Sequence, residues 1–263
     1  MNTGAVVMLD ALGFKGIWKR HPEVLEKLKL MPRIAEVTVG GFMKGVPAKS
    51  GLTLHPEVST TFLSDTIVIG ARMKGATDDV HDRWAEVALA ALFTASIMSI
   101  GANVKAPPLA YRGVISFGEF EIDGPFIVGP AIDEAAELMN MAEAAIAWLT
   151  PTARVIVNTA MKADPNMALG GMFLPWAVPL KGGGTYDTFV AHPFAAPPLS
   201  GTAEEMRDKI LSSFNNSRIE IQIKKQNTQR FLDAALKAKP DWKEAIERAN
   251  ASMAMKQGNP HES

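Results

Sequence analysis

The chain contains no cysteine, which excludes disulfides, thiolate metal sites and cysteine nucleophiles and fits a reducing compartment. It also lacks an excess of either charge. Its 27 Lys and Arg stand against 28 Asp and Glu, a formal net charge of -1, so its overall field favours neither nucleic acid nor an anionic membrane as a partner. The five histidines, His21, His55, His81, His192 and His261, show no ligand spacing. The run Gly182-Gly183-Gly184 is not followed by the Lys-Ser/Thr and helix that a phosphate loop needs. The opening residues MNTGAVVMLD carry no basic segment before their short apolar run, so no leader peptide is expected. The longest apolar stretch, about Ala85 to Ile100, contains Glu86 and reads as a buried helix rather than a membrane span. A cytoplasmic protein is expected.

What is present suits an α+β fold. With 263 residues the chain can form one large domain, or one domain with an extension, and bury a sizeable core without staples. Ala5 to Leu9 is short and β-branched, a buried strand ending at Asp10. Phe14 to Trp18 opens a helical segment, and Pro22 to Val37 shows helical apolar spacing. Gly40 to Gly51 reads as a loop. Val58 to Leu63 and Thr66 to Ala71 form a hairpin around Ser64-Asp65. Thr77, Asp78 and Asp79 cap a helix that should stop at Gly101. Leu109 to Phe117 alternates like a strand, Gly118 to Gly124 turns the chain, and Phe126 to Val128 resumes the sheet. An Ala-rich helix is predicted from Gly129-Pro130 to Leu149, ended by Pro151, then a strand over Ala153 to Asn158. Asp164 to Ser200, rich in Gly and Pro, is expected to be loops. Thr202 to Ser217 and Asn227 to Met255 read as amphipathic helices, separated or kinked near Ile219 to Ile223. Together these predict a mixed sheet with helices on one face, a first domain over residues 1–160, a loop-rich and helical extension packed on it over 161–256, and a disordered tail over 257–263.

Two carboxylates stand where strand ends are exposed. Asp10 closes the first strand and Asp65 tips the hairpin, so the two converge if those elements are neighbours. A carboxylate pair without histidine or cysteine suits hard cations such as Mg²⁺ or Mn²⁺, which prefer oxygen ligands and bridge phosphates. Either aspartate also fits a plain cap or turn, for local hydrogen-bonding reasons. The small basic cluster Lys224, Lys225 and Arg230 reads as a solvated helix face.

The segments around these residues resemble class III nucleotidyl cyclases. VVMLDALGF is similar to their first metal motif, an apolar strand followed by Asp-x-x-Gly-Phe. FLSDTIVIG is similar to the second, an aspartate within a hairpin. YRGVISFGEF and IVGPAIDEAAEL resemble the third block, an Arg-Gly-x-Ile strand and a helix opened by Gly-x-Ala. The blocks occur in the family's order over about residues 5 to 158. The likeness is strongest to the bacterial pyrimidine cyclases of Pycsar anti-phage systems, on Arg112-Gly113-Val114-Ile115, Gly129-Pro130-Ala131 and Glu134-Ala135-Ala136-Glu137-Leu138. Residues beyond about 160 add no match.

The resemblance implies a cyclase-like mixed sheet and a catalytic domain over 1–160. Asp10, Asp65 and the backbone carbonyl of Ala11 would hold two Mn²⁺ or Mg²⁺ ions. The turn holding Phe14, Lys15 and Gly16 would cradle a triphosphate. In place of the Asn and Arg that purine cyclases carry on the third-block helix stand Asp133 and Glu137. Another cation then substitutes, with Arg112 the first candidate and Lys15 the second, or the chain binds nucleotide without turnover. Thr61 and Phe126 occupy the base-reading places, and a hydroxyl beside a bulky ring suits a small base. The resemblance thus implies a head-to-tail homodimer that converts UTP to 3′,5′-cyclic UMP and pyrophosphate, with CTP as alternative. Its product would be an anti-phage messenger reaching a separate effector.

Overall fold

The computed structural model describes residues 1–13, 17–42, 46–47, 53–105, 107–163, 171–196, 198–215 and 217–239. Phe14, Lys15 and Gly16, the helix expected beyond residue 239 and the expected tail 257–263 lie outside the described residues. The strands are β1 (Asn2–Ala11), β2 (Val46–Pro47), β3 (Thr53–Leu63), β4 (Thr66–Lys74), β5 (Tyr111–Asp123), β6 (Phe126–Val128), β7 (Ala147–Leu149), β8 (Phe173–Pro179) and β9 (Thr185–Ala191). The helices are α1 (Ile17–Arg20), α2 (Val24–Phe42), α3 (Val80–Asn103), α4 (Pro130–Leu138), α5 (Pro151–Ala163), α6 (Ala203–Ser212) and α7 (Ile219–Lys237).

All nine strands join one sheet, in the order β2-β3-β4-β1-β5-β7-β9-β8, with β6 paired to β5 off that path. The β5–β7 pair is parallel and β1 is antiparallel to both β4 and β5. The architecture is therefore α+β with a mixed sheet, as the sequence predicts. Helices cover both faces, not one. Ser116 and Phe117 are consecutive on β5 and so point to opposite sides. Ser116 Oγ donates to the Ala131 carbonyl of α4 at 2.7 Å, whereas the Arg83 guanidinium of α3 lies 5.5 Å from the centre of the Phe117 ring. That double cover is why Ala5 to Leu9 of β1 are all buried.

Helix α3 starts where expected, with Asp79 accepting from the His81 N–H at 2.8 Å. It does not stop at Gly101. A Cβ there would lie 2.8 Å from the Tyr111 ring, so this glycine admits a close approach of β5 rather than ending the helix. Among the described residues α3 is the one helix long and apolar enough to cross a membrane, and 94% of its most apolar window is buried inside the fold. Its C-terminal end is capped from α2. Lys27, fully buried, donates from Nζ to the carbonyls of Gly101 at 2.5 Å, Lys105 at 3.2 Å and Pro107 at 2.7 Å. A cation there also meets the negative end of the helix dipole.

Several local expectations yield to tertiary packing. The segment expected as a loop from Gly40 to Gly51 contains the end of α2 and the short β2, which pairs with β3. Strand β5 runs through Gly118 to Asp123, leaving the turn to Gly124. The Ala-rich helix ends at Leu138, because Ala144 to Leu149 are all buried and β7 enters the sheet beside β5. Alanine's helical preference, only tenths of a kcal/mol per residue, does not outweigh that burial. Pro151 then begins α5 instead of preceding a strand. Proline suits a first helical turn, and Ala153, Val157 and Ala160 are buried at helical spacing.

The Gly- and Pro-rich segment also folds into the sheet rather than into loops. β8 and β9 pair as a hairpin, tied to β7 through Trp148 opposite Val190. Pro175 and Pro179 fit β8 because it is the sheet's edge strand. Gly182, Gly183 and Gly184 all adopt positive φ in the connecting turn, a conformation that glycine takes without steric cost.

Helix α7 begins at Ile219, where a kink was expected, and is pinned at several points along its length. Asn227 Nδ2 donates to the Glu143 carbonyl at 3.0 Å. Thr228 Oγ1 accepts from the Ala145 N–H at 2.8 Å. The Phe231 ring packs edge-on against Trp176, 5.4 Å between centroids. Just past its C-terminus, the Ala238 carbonyl lies 3.2 Å from His192 Nε2.

Candidate active site

Asp10 and Asp65 come together through register. Asp10 pairs with Thr66 across the β1–β4 ladder, and Asp65 is the residue just before Thr66, in the tight β3–β4 turn. Ser64 enters that turn at φ 62°, which is uncommon for a non-glycine residue. The two carboxyls lie within hydrogen-bonding reach, and burial first, then the Asp65 charge, push the Asp10 carboxyl above its ordinary range, with Arg112 opposing. Ala11, whose carbonyl the resemblance offers as a ligand, follows Asp10 in the β1–β5 ladder opposite Tyr111.

Arg112 is the residue opposite Asp10 on β5. Its Nη2 donates to Asp10 Oδ2 at 3.3 Å and to Asn140 Oδ1 at 2.5 Å, and its Nη1 reaches the carbonyls of Asn140 and Ala142, each at 3.5 Å. Its buried Nε has no partner among the described residues. The guanidinium is thus a clasp that orients Asp10 and ties β1 to the segment after α4. Asn140 was not foreseen, since nothing in its local sequence marks it.

Asp10 and Arg112 open on a cleft of about 300 Å³, at the lower limit of small-molecule sites. Asp10, Leu12 and Gly13 form part of the wall, Ile17 and His21 another, Pro107 to Leu109 with Arg112 a third, and the α6–α7 connection with Ile221 and Lys224 the rest. Lys224 was expected to be solvated, yet its side chain is only 17% exposed. A sequence signal existed: it falls in register with Ile221, Thr228, Phe231 and Ala235, the inward stripe of α7. Lys181, in the β8–β9 turn, joins the same cationic neighbourhood. Burial, then the charges of Arg112 and Lys224, lower its amine, while Glu143 and Asp10 oppose that shift.

The donor set fits a hard divalent cation. Two adjacent carboxylates repel each other until an ion lies between them, and oxygen ligands suit Mg²⁺ or Mn²⁺. Among the described residues no group of three or more His, Cys, Asp or Glu is placed to hold a metal. Further ligands for an ion at Asp10 and Asp65 would therefore be backbone oxygen, water or substrate.

The other candidates lie apart. Thr61, 8% exposed, pairs with Val68, which pairs with Met8, so it shares a sheet face with Asp10 two strands away. Phe126, 59% exposed, pairs with Asp123 at the far end of β5. Eleven residues separate Asp123 from Arg112 on that strand, on the order of 30 Å. One chain therefore does not bring Phe126 to Asp10. Asp133 and Glu137 are exposed, one turn apart on α4.

No protein-family profile matches the chain, and no curated protein is similar to it. Solved structures similar to it include the guanylyl cyclase domain of the RhoGC fusion protein from the aquatic fungus Blastocladiella emersonii, at 14% identity and TM-score 0.46 over 73% of this chain and 96% of that one. The adenylyl cyclase CyaB of P. aeruginosa is similar at 13% identity and TM-score 0.42, over 72% and 92%. An adenylate/guanylate cyclase/hydrolase of Silicibacter pomeroyi is similar at 14% identity and TM-score 0.39, over 72% and 96%.

Proposed function

We propose that the protein is a nucleotidyl cyclase that converts a nucleoside triphosphate to its 3′,5′-cyclic monophosphate and pyrophosphate. The observation that carries this reading is the closeness of Asp10 and Asp65, brought together by strand register, with Asp10 lining the cleft and held by Arg112. Divalent ions held by this pair would supply Lewis-acid charge to the phosphates and the attacking hydroxyl. Arg112 keeps Asp10 oriented, and the low exposure around it limits competing water. In the reaction the ribose 3′-oxygen bonds to the α-phosphorus, the bond to the bridging oxygen breaks, pyrophosphate leaves and the hydroxyl proton passes to water. Positive charge is supplied by residues other than Asp133 and Glu137, whose carboxylates oppose it.

Two finer assignments rest on the motif resemblance. The substrate is UTP in preference to CTP, with Thr61 and Phe126 reading the base, and the product is a cytoplasmic messenger of anti-phage defence acting through a separate effector. The site is shared across a head-to-tail homodimer. Support for sharing comes from the strand-length gap between Phe126 and Asp10, and from exposed apolar side chains near both ends: Leu25, Phe62 and Leu63 on one side, Phe126 and Val128 on the other.

Purified protein with Mn²⁺ and each of the four nucleoside triphosphates, with products resolved by mass, tests the reading. A cyclic monophosphate from UTP is expected, and Asp10→Asn or Asp65→Asn should lower turnover about 1,000-fold or more with the fold intact. Near wild-type turnover in either variant removes the metal assignment. Preference for ATP or GTP removes pyrimidine selectivity, and binding without product makes the chain a non-catalytic nucleotide binder.

A further inference from the structure

The inward stripe of α7 is built from Ile221, Thr228, Phe231, Leu232 and Ala235, and Lys224 stands in line with them. A lysine on such a stripe is costly unless its ammonium has a use or a partner. Its ion pair is weak: Glu143 Oε1 lies 4.0 Å from Nζ, beyond hydrogen-bonding distance. The side chain instead lines the cleft that Asp10 and Arg112 line. Arg112 cannot meet a polyphosphate with its Nη donors while they are engaged by Asn140, Ala142 and Asp10. Helix α4 contributes no cation to the cleft, since none of its residues is among the described lining. The cleft therefore needs an ammonium from elsewhere, and α7 brings one on a rigid support fixed by Asn227, Thr228 and Phe231.

We propose that Lys224 contacts the polyphosphate of the bound nucleotide, so that the C-terminal helical extension completes the catalytic cleft from within the same chain. The proposal rests on the cyclase reading for its substrate, but the contact itself needs only a polyphosphate. Lys181 adds a third cation to this neighbourhood: burial first, then the charges of Arg112 and Lys224, lower its amine against the pull of Glu143 and Asp10.

Calorimetric titration of the full chain with inorganic tripolyphosphate and Mn²⁺ separates the two ideas, with turnover of UTP measured in parallel. Lys224→Met, whose side chain suits the apolar stripe, should weaken tripolyphosphate about 10- to 100-fold. Lys224→Arg should restore most of that loss, and Lys225→Met should leave affinity and turnover unchanged. Lys224→Gln replaces the methionine variant if its melting midpoint moves. Affinity and turnover of the Lys224 variants equal to wild type overturn the proposal and leave the cyclase standing. Equal losses in Lys224→Met and Lys225→Met overturn it too, because they indicate general charge rather than contact, as does wild-type protein that binds no tripolyphosphate. Wild-type protein that cyclises nothing, with affinity still lost in Lys224→Met, supports the contact and removes the cyclase.

Discussion

At the residue scale, the site depends on charges that the fold holds in unfavourable places. Asp10 is half-buried beside another carboxyl, and the clasp of Arg112 only partly offsets that environment. Lys27 is the second such residue. Burial lowers its amine to about 8, yet it supplies donors to three carbonyls at the end of α3 and in the loop that leads to the cleft. Those two effects oppose each other. The carbonyls decide the outcome, because a buried acceptor left without a donor costs about 1–3 kcal/mol and three are at stake. Lys27→Met should therefore destabilise the protein by about 3 kcal/mol, read as a lower urea midpoint. It should also raise the KM for nucleotide, since Pro107 and Pro108 line the cleft. An unchanged midpoint would show that water replaces the ammonium there.

At the element scale, α7 is only as well placed as its anchors. His192, fully buried, accepts from the Phe194 N–H at Nδ1, so Nε2 carries the proton and donates to Ala238. Burial holds its pKa down to about 4, against an ordinary value near 6.5. Between these values the unfolded chain binds the extra proton and the folded chain does not. Stability is therefore fully present above about pH 6.5 and falls as the pH drops towards 4, by on the order of 3 kcal/mol. Unfolding midpoints measured across that range should show the loss in wild type and a flatter profile in His192→Gln. Parallel profiles would place the acid sensitivity elsewhere. The C-terminal end of α7 is the segment expected to loosen first.

At the scale of the whole molecule, the sheet separates what a shared site would bring together. Asp10 lies at one end of β1, whereas Phe126 lies beyond the opposite end of the paired strand β5. A two-fold axis that pairs unlike ends repeats the same contact twice and creates two equivalent sites. Asp10→Asn and Phe126→Ala should each be impaired alone. Mixed in equal amounts and allowed to exchange, about half of the dimers would hold one chain of each kind, and each mixed dimer has one intact site. Activity should then recover to about a quarter of wild type. No recovery on mixing, in a preparation shown to exchange subunits, would place both residues in a single chain's site or Phe126 outside it.

The sequence by itself determined the elements whose signals are local. The β-branched run ending at Asp10, the Ser64-Asp65 hairpin and the Asp79 cap are each set by residues within a few positions, and the structure places them as read. It also singled out Asp10, Asp65 and Arg112. What only the tertiary structure decided is what these residues do to one another. Strand register sets Asp10 opposite Arg112 and one step from Asp65, and register depends on pairing across more than a hundred residues of chain. The failures have the same origin. Ala144 to Leu149 reads as helix because alanine favours it locally, but burial beside β5 makes Ala147 to Leu149 a strand. Phe173 to Ala191 reads as loop because proline and glycine punctuate it, but proline is acceptable on an edge strand and glycine is required in its turn. Lys224 reads as solvated because lysine usually is. Its place on the apolar stripe of α7 marks it as inward-facing, but only the docking of α7 against Ala145 and Trp176 sets that stripe beside the cleft.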